Sequence, residues 1–393
     1  MSGEARLVTN IVLGGVMLAG LTATASAQSV VSHRATTTTM TAERLQQIMK
    51  TAKPMEKLLP RKPDALMKTQ IPTSGGSQPL PTVVPGSRGE VNQGGGSDEE
   101  SPGDNGGISE QNYGTGNQNT IYHYSDYLVP TNVMKTFPYR ATGFFLFERG
   151  GSFFYCTGSL IAPSILLVAG HCVHSGNNSS TGWNTQGFYY PAATDYNGGP
   201  TPNAPYGFAS AYTYYTWTAW YSTGSLDQGY DVGLVVLNTR NNARNAAREM
   251  GLKTGWLGFC TASCLQTYWF FSQLGYPSNY YGGNRLSEGQ HLYASDTRDY
   301  VWGSGMQGGS SGGPHIANIG DLSDSSSNTG LWPYRNIVFA PTSWGYTDPQ
   351  YKIQGGSALT GPNNTFDFAH NMYNVACTTS KSLHGASSCS TLP

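Results

Sequence analysis

The sequence has 393 residues, which is long enough for two domains and a sizeable hydrophobic core. Only 11% of the residues are charged, and the formal net charge is −1. A balance this close to neutral offers no electrostatic footprint for nucleic acid or an anionic membrane surface, so we expect neither as a partner. The even count of six cysteines points to an exported protein.

Residues 1–27 have the pattern of a secretory signal peptide. Arg6 precedes an apolar run over residues 11–21, and Ala25-Ser26-Ala27 supplies a cleavage pattern. The alternative is an uncleaved signal anchor, but the run is too short to cross a bilayer of about 30 Å. We therefore predict cleavage near Gln28, a secreted protein (extracellular or periplasmic), and no membrane association after cleavage.

Residues 28–120 differ in composition from the later part of the chain, which predicts a propeptide that is largely disordered. One amphipathic helix is expected over Thr41–Lys57, with Leu45, Ile48 and Met49 on one face. The rest is rich in Pro, Gly, Ser and Gln and buries too little apolar surface to fold. Its place between an export signal and a differently composed body favours a propeptide over a simple linker. We expect it to act as an intramolecular inhibitor or a folding aid.

From residue 121 onward, short aromatic and β-branched segments alternate with Gly, Asn, Ser and Pro turns, which is typical of strands. The segments are Tyr139–Glu148, Ser152–Ile161, Leu166–Ala169, Tyr212–Tyr221, Val232–Leu237, Tyr268–Gly275, Gln290–Ser295 and Ile337–Trp344. Two helices are expected, over Asn241–Met250 with a stop at Gly251 and over Thr365–Val375. The pattern predicts an all-β body of two packed antiparallel barrels, over residues 121–240 and 241–393, with a C-terminal helix and tail.

Three short strings carry candidate chemistry. An apolar strand runs into His171, a second apolar strand begins after Asp231, and a glycine-rich loop contains Ser310 and Ser311. A serine hydroxyl becomes a nucleophile when an imidazole accepts its proton, and a buried carboxylate orients that imidazole. Glycines let a loop turn its amides toward a developing oxyanion. Each string alone is weak evidence, but together they supply the groups that acyl transfer needs.

The strings resemble those of the chymotrypsin-like serine proteases over roughly residues 121–375, and most of all the bacterial glutamyl endopeptidase branch. The matching strings are Ala169-Gly170-His171-Cys172, Asp231-Val232-Gly233-Leu234, Gly309-Ser310-Ser311-Gly312-Gly313-Pro314, Ser343-Trp344-Gly345, Phe137-Pro138-Tyr139-Arg140-Ala141, Cys156-Thr157-Gly158 and Gly275-Tyr276-Pro277. The resemblance implies two six-stranded antiparallel barrels and a monomeric serine endopeptidase acting on proteins or peptides without a metal or cofactor.

The resemblance also assigns roles to residues. It makes His171 the general base and acid, Asp231 its orienting partner and Ser311 the nucleophile, with the Gly309 and Ser311 amides as the oxyanion hole. Ser310 stands where trypsin-like members keep an Asp that pairs with a new N-terminal amine. We therefore expect activation to work by unblocking the cleft and not by that ion pair.

The resemblance implies a disulfide between Cys156 and Cys172. For the other four cysteines, Cys260–Cys264 with Cys377–Cys389 is the local pairing, one of three connectivities. A zinc site built from His171, Cys172 and His174 is the competing interpretation. It is disfavoured because a fourth ligand and a second close-spaced pair are missing.

The substrate pocket is expected to contain Gly305 at its base, followed by Met306, and the segment Thr342, Ser343, Trp344 and Gly345. No carboxylate is present to receive an Arg or Lys side chain. Thr342 and Met306 depart from the His and hydroxyl residue of glutamyl endopeptidases. We therefore expect an uncharged, Met-walled pocket that favours apolar or small side chains.

Two other functions remain as alternatives. One is a catalytically silent binding or adhesin module, which the intact set His171, Asp231 and Ser311 disfavours. The other is an esterase that uses the same triad. It is disfavoured because the chain lacks the Gly-x-Ser-x-Gly elbow and the Ser–Asp–His order of that class.

Overall fold

The computed structural model describes residues 29–36, 40–56, 58–59, 82–87, 89, 111–114, 122–194, 204–226, 229–241, 248–262, 270–295, 299–320, 335–346, 348, 351–360 and 367–392. The predicted signal peptide lies outside these ranges. None of the described helices has both the length and the apolar composition needed to span a bilayer.

The described strands run in chain order from the predicted propeptide through the body. They are β1 (Val30–Arg34), β2 (Lys53–Pro54), β3 (Leu58–Leu59), β4 (Thr82–Val84), β5 (Gln111–Gly114), β6 (Tyr124–Leu128), β7 (Thr142–Arg149), β8 (Ser152–Ala162), β9 (Ile165–Val168), β10 (Gln186–Pro191), β11 (Ala209–Trp217), β12 (Gly233–Leu237), β13 (Gly258–Ala262), β14 (Phe270–Gly275), β15 (Ser287–Ser295), β16 (Asp299–Gly303), β17 (Pro314–Ala317), β18 (Ile337–Tyr346) and β19 (Ile353–Ser357).

The described α-helices are short. They are α1 (Ala42–Thr51), α2 (Thr131–Met134), α3 (Thr218–Thr223), α4 (Met250–Thr254) and α5 (Asn374–His384), and a π-helical segment over Phe368–Tyr373 leads into α5. Single 3₁₀ turns cover Tyr139–Ala141, Gly170–Cys172, Ser180–Gly182, Tyr281–Gly283 and Ala386–Ser388.

The first barrel is a closed ring of six antiparallel strands. Its order is β11-β10-β7-β8-β9-β12, and the pairing of β11 with β12 closes it. Both faces of β7 are buried: Phe144 and Leu146 belong to one apolar cluster, and Phe145 and Phe147 to another. This two-sided burial explains why the strand is a continuous apolar run instead of an alternating one.

The second barrel is a ring of six antiparallel strands in the order β14-β17-β18-β19-β16-β15, closed by the pairing of β14 with β15. The expectation of two six-stranded antiparallel barrels with a C-terminal helix is confirmed.

Two elements of the body pack on the barrel on the other side of the predicted boundary at residue 240. Strand β6, expected in the first barrel, pairs along β15 of the second. Helix α5, expected with the second barrel, packs on the first: His384 Nε2 lies 2.8 Å from the Leu237 carbonyl, and Tyr215 donates its hydroxyl to Thr379 at 2.6 Å. Strand β6 therefore extends the sheet of the second barrel, and helix α5 packs on the first.

The described part of the predicted propeptide contains the expected helix and also strands that were not expected. Strand β1 pairs along β11, β4 along β13 and β5 along β6, so free strand edges of the body order these segments. Helix α1 buries Leu45, Ile48 and Met49 in the main apolar cluster. It begins after the N-cap Thr41 and ends at Thr51, earlier than expected, because Pro54 cannot continue a helix.

The bounds of the other two expected helices differ from those of the observed helices. The helix expected over residues 241–250 lies mostly outside the described residues. The observed helix, α4, runs through Gly251 and stops at Gly255, where φ is +77°. The C-terminal helix continues nine residues beyond its expected end at Val375, to His384.

Two of the expected disulfides are described. Cys156 is bonded to Cys172, and Cys377 to Cys389. Cys260 is also disulfide-bonded, while Cys264 lies outside the described residues.

Candidate active site

His171 and Asp231 meet because their strands are neighbours. Strands β9 and β12 pair antiparallel with Val168 opposite Gly233, so the residues that come after β9 lie beside those that precede β12. His171 lies in the 3₁₀ turn after β9. Its Nδ1 is 2.7 Å from Asp231 Oδ2, and its backbone amide donates to Asp231 Oδ1 at 2.6 Å. The carboxylate therefore fixes both the ring and the main chain of His171.

The environment of Asp231 determines which ring nitrogen of His171 carries the proton. Asp231 is fully buried and also accepts the hydroxyl of Ser343. An ionised carboxylate only accepts hydrogen bonds, so His171 Nδ1 carries the hydrogen and Nε2 keeps its lone pair. Within the described part of the chain, Nε2 has no hydrogen-bond partner. The imidazole is thus held as a base with its accepting atom free.

Arg149 and Asn184 form a clamp on the main chain around His171. No sequence pattern indicated either residue. Arg149 donates to the His171 carbonyl at 2.9 Å and to Asn184 Oδ1 at 2.7 Å. Asn184 in turn donates to the carbonyl of Cys172 at 2.7 Å. Burial lowers the pKa of the Arg149 guanidinium to about 10, which leaves it charged at neutral pH.

The loop carrying Ser311 is shaped by two glycines and one threonine. Gly309 and Gly312 have φ of +94° and +81°, a region that favours glycine. Thr157 holds the loop from β8: its hydroxyl donates to the Gly309 carbonyl and its amide to the Ser311 carbonyl, both at 2.8 Å. Thr157 follows Cys156, which is bonded to Cys172 in the His171 turn. The hydrogen bonds of Thr157 therefore connect the Ser311 loop to that turn.

The carbonyl oxygen of Met55, from the predicted propeptide, lies in front of this loop. It accepts the Gly309 amide at 3.1 Å and the Ser311 hydroxyl at 3.2 Å. The Met55 amide donates to the Tyr155 carbonyl at 2.9 Å. A peptide carbonyl therefore occupies the point toward which one predicted oxyanion donor and the predicted nucleophile are directed.

A cavity of about 190 Å³ opens beside Ser311. Five of the six predicted pocket residues line it: Gly305, Met306, Thr342, Trp344 and Gly345. Ser343 points the other way, to Asp231, because side chains alternate along β18.

The cavity also has charged neighbours that the sequence did not indicate. Lys352 lines it, so the expectation of an uncharged pocket is wrong. Glu56 lines it too and packs on Gly308, where a Cβ atom would come within 2.1 Å of Glu56 Cγ. The position of Lys352 results from the pairing of β18 with β19, which brings a residue far from the motifs to the cavity.

Asp126 lies behind the cavity wall, fully buried. Its Oδ2 accepts the Gly305 amide at 2.6 Å and the Tyr280 hydroxyl at 3.0 Å. Burial raises the pKa of this carboxyl to about 7. No motif marked Asp126, since it reaches the wall only through the pairing of β6 with the second barrel.

One group of possible metal ligands lies at the site: donor atoms of Cys156, His171 and Cys172 fall within 4.8 Å of one another. Both sulfurs belong to one disulfide, so neither is a thiolate ligand. His174, the third residue of the zinc alternative, instead accepts the Gly176 amide at 2.9 Å and approaches the Ser179 carbonyl at 2.8 Å. These residues do not fit a zinc site.

No protein-family profile matches the chain. It is 29% identical over 189 residues to the extracellular metalloprotease of Bacillus subtilis (strain 168), covering 47% of this chain and 54% of that protein. It is 24% identical over 210 residues to glutamyl endopeptidase of Bacillus licheniformis, covering 53% of this chain and 58% of that protein. The chain thus spans little more than half the length of these curated relatives.

Solved structures are also similar. Protease Anisep from Arthrobacter nicotinovorans is 25% identical, with 56% of this chain and 90% of that chain covered and a TM-score of 0.43. A Glu endopeptidase in complex with MPD is 20% identical, with 64% and 96% covered and a TM-score of 0.47.

Proposed function

We propose that this chain, a double β-barrel of the chymotrypsin-like type, is a secreted serine endopeptidase made as a preproprotein. Ser311 is the nucleophile, His171 the general base and acid, and Asp231 the residue that orients His171. The observation that carries the proposal is the peptide carbonyl of Met55, which accepts hydrogen bonds from both the Gly309 amide and the Ser311 hydroxyl. A scissile peptide carbonyl would likewise accept the Gly309 amide and lie beside Ser311 Oγ, with the Ser311 hydroxyl hydrogen directed to His171 Nε2 instead of to that carbonyl.

In the proposed reaction, Ser311 Oγ attacks the carbonyl carbon of a peptide bond while its proton passes to His171 Nε2. The resulting oxyanion accepts hydrogen bonds from the amides of Gly309 and Ser311. The C–N bond then breaks, and the leaving amine takes the proton from His171. A water molecule attacks the acyl-enzyme, giving its proton to His171, and Ser311 regains a proton as the acid product leaves.

Asp231 supports this sequence through its position and its charge. It stabilises the Nδ1–H tautomer and, during the reaction, the imidazolium. The Ser343 hydroxyl and the His171 amide donate to the same carboxylate, which holds it in place.

Labelling with a fluorophosphonate probe tests the nucleophile. The processed protein should be labelled on Ser311, and Ser311→Ala should abolish labelling. Ser310→Ala is the matched control, because the Ser310 hydroxyl donates to the Gln307 carbonyl at 2.8 Å and takes no part in the reaction. An unlabelled protein would favour the binding-module alternative. A protein that is labelled and turns over simple esters but no protein would favour the esterase.

For the substrate pocket, we propose that basic side chains are excluded while uncharged or acidic ones are accepted. Lys352 lines the cavity and would repel Arg or Lys. The B. licheniformis relative is named a glutamyl endopeptidase, which is consistent with an acidic side chain in such a pocket. Mass-spectrometric mapping of cleavage sites in a peptide mixture tests this, and dominant cleavage after Arg or Lys would contradict it.

We further propose that the described part of residues 28–120 is an intramolecular inhibitor. Its support is the seat of Met55 against Gly309 and Ser311, together with the burial of helix α1 against the body. The fluorophosphonate should label Ser311 in the full chain much more slowly than in the processed protein. Equal rates would favour the folding-aid alternative, and N-terminal sequencing of the processed protein would locate the cut that removes the propeptide.

A further inference from the structure

The segment formed by the described residues 53–56 and 58–59 contacts the cleft between the two barrels at three points. Strand β2 pairs with β8 at one end, with Lys53 opposite Phe154 and Pro54 opposite Tyr155. In the middle, Met55 lies against Gly309 and Ser311. At the other end β3 pairs with β18, with Leu58 opposite Gly345 and Leu59 opposite Tyr346. The segment therefore crosses the whole cleft from the first barrel to the second.

Both end pairings are parallel. From its N- to its C-terminus, the segment therefore runs from β8, which carries Cys156 of the disulfide, past Ser311 to β18 beside the cavity.

A substrate must run the other way. The side chain on the acyl side of the scissile bond belongs in the cavity beside Ser311, so the N-terminal half of a substrate lies along β18. Its leaving amine must lie toward His171, which donates the proton. The C-terminal half therefore lies toward β8, which the Cys156–Cys172 disulfide joins to the His171 turn.

We infer that the cleft binds this segment in the chain direction opposite to that of a substrate, so that the segment is a ligand of the active site and not its substrate. This inference rests on the proposed function. The Met55 carbonyl accepts the Gly309 amide as a scissile carbonyl would, but the amide that would have to leave, that of Glu56, is on the cavity side. His171 lies on the opposite side, so the Met55–Glu56 bond resists cleavage by this site.

The segment is held by main-chain hydrogen bonds and by two side chains. Three described hydrogen bonds join Met55 to the body, and each uses a backbone atom of Met55. The Met55 side chain packs against a buried apolar cluster of the body, and the Glu56 side chain packs on Gly308 at the cavity. Activation on this basis requires a cut outside residues 53–59, followed by release of the segment.

Photo-crosslinking tests the polarity directly. A photoreactive phenylalanine replaces Lys53 or Leu59 in the full chain carrying Ser311→Ala, and mass spectrometry locates the crosslinks. Position 53 should crosslink within residues 152–156, and position 59 within residues 344–346. The same group at the exposed Gln47 is the control and should give neither product. Exchanged crosslinks, or crosslinks from neither position, would overturn the inference.

A second measurement uses the processed wild-type protein and a peptide of residues 51–60. The peptide should inhibit hydrolysis of a substrate competitively and remain intact. A matched peptide with N-methylated Met55, which lacks the donor to Tyr155, should bind at least tenfold more weakly. Cleavage after Met55 or Glu56 would overturn the inference. If the processed protein fails to react with the fluorophosphonate, the proposed function fails instead, while the crosslinks remain informative because they need no active nucleophile.

Discussion

The carboxylate of Asp126 accepts the amide hydrogen of Gly305 at 2.6 Å and so fixes the wall of the cavity from inside the second barrel. Burial raises the pKa of that carboxyl to about 7, against an ordinary value of 3.8. Between these two values the folded protein holds a proton that the unfolded chain releases. The contribution of Asp126 to the free energy of unfolding therefore falls as pH rises from about 4 to 7.

Asp126→Asn keeps an oxygen acceptor for the Gly305 amide and removes the titration. We expect the variant to match the wild type near pH 4 and to exceed its melting temperature by several degrees at pH 7 and above. Thermal unfolding of both proteins across this range measures the difference. Parallel curves for the two proteins would show that the Asp126 carboxyl does not titrate there.

The buried pair His291 and His315 adds a second pH dependence of stability, which is the same in the wild type and in Asp126→Asn. Burial lowers the pKa of His291 to about 3 and that of His315 well below 6.5. The unfolded chain therefore binds protons that the folded protein excludes as pH falls below 6.5, and stability drops on the acid side. Both proteins share this loss, so it cancels in their difference.

Replacement of Asp231 by Asn should abolish most of the activity without displacing His171. An amide N–H facing Nδ1 would favour the tautomer with hydrogen on Nε2, which cannot accept the Ser311 proton. We expect kcat to fall by about 10⁴-fold with KM little changed. Asp367→Asn, the same change at an exposed carboxylate that pairs with His370, is the control. A loss of less than tenfold for Asp231→Asn would contradict the proposed role.

Arg149→Met tests whether the clamp on His171 serves catalysis as well as folding. It leaves the His171 carbonyl without the Arg149 donor, at a cost of about 1–3 kcal/mol in stability. If the clamp positions the imidazole, kcat should fall about tenfold while KM stays constant, and Arg149→Lys should restore part of it. A stability loss with unchanged kcat would assign Arg149 to folding alone.

If helix α1 anchors the proposed inhibitory segment, weakening the packing of this helix should expose Ser311. Leu45→Ala and Ile48→Ala each remove buried methyl groups, and such changes cost about 2 kcal/mol or more. We expect the full-length variants to react with the fluorophosphonate at least tenfold faster than the wild type. Gln47→Ala, on the exposed face of the same helix, should leave the rate unchanged. Equal rates for all four proteins would argue that α1 does not hold the segment in place.

The local patterns of this sequence determined a large part of the molecule. Runs of β-branched and aromatic residues between turn residues predicted five of the six strands of the first barrel and three of the six of the second, since strand formation depends on side-chain type and spacing over a few residues. Strands β10, β16, β17 and β19 were missed. The strings around His171, Asp231 and Ser311 were equally local. The apolar runs beside His171 and Asp231 form β9 and β12, and the register of those two strands brings the side chains together.

Only the tertiary structure decided the partners of these elements. Asp126, Arg149 and Lys352 reach the site through strand pairing and barrel closure, and nothing in their neighbouring sequence marks them. In sequence, Lys53–Pro54 and Leu58–Leu59 look like any short extended segments. Only the folded body supplies the free edges of β8 and β18 with which they pair in parallel. The physical reason is that a strand's composition encodes its tendency to extend, whereas its partner and direction depend on which edges the rest of the chain leaves open.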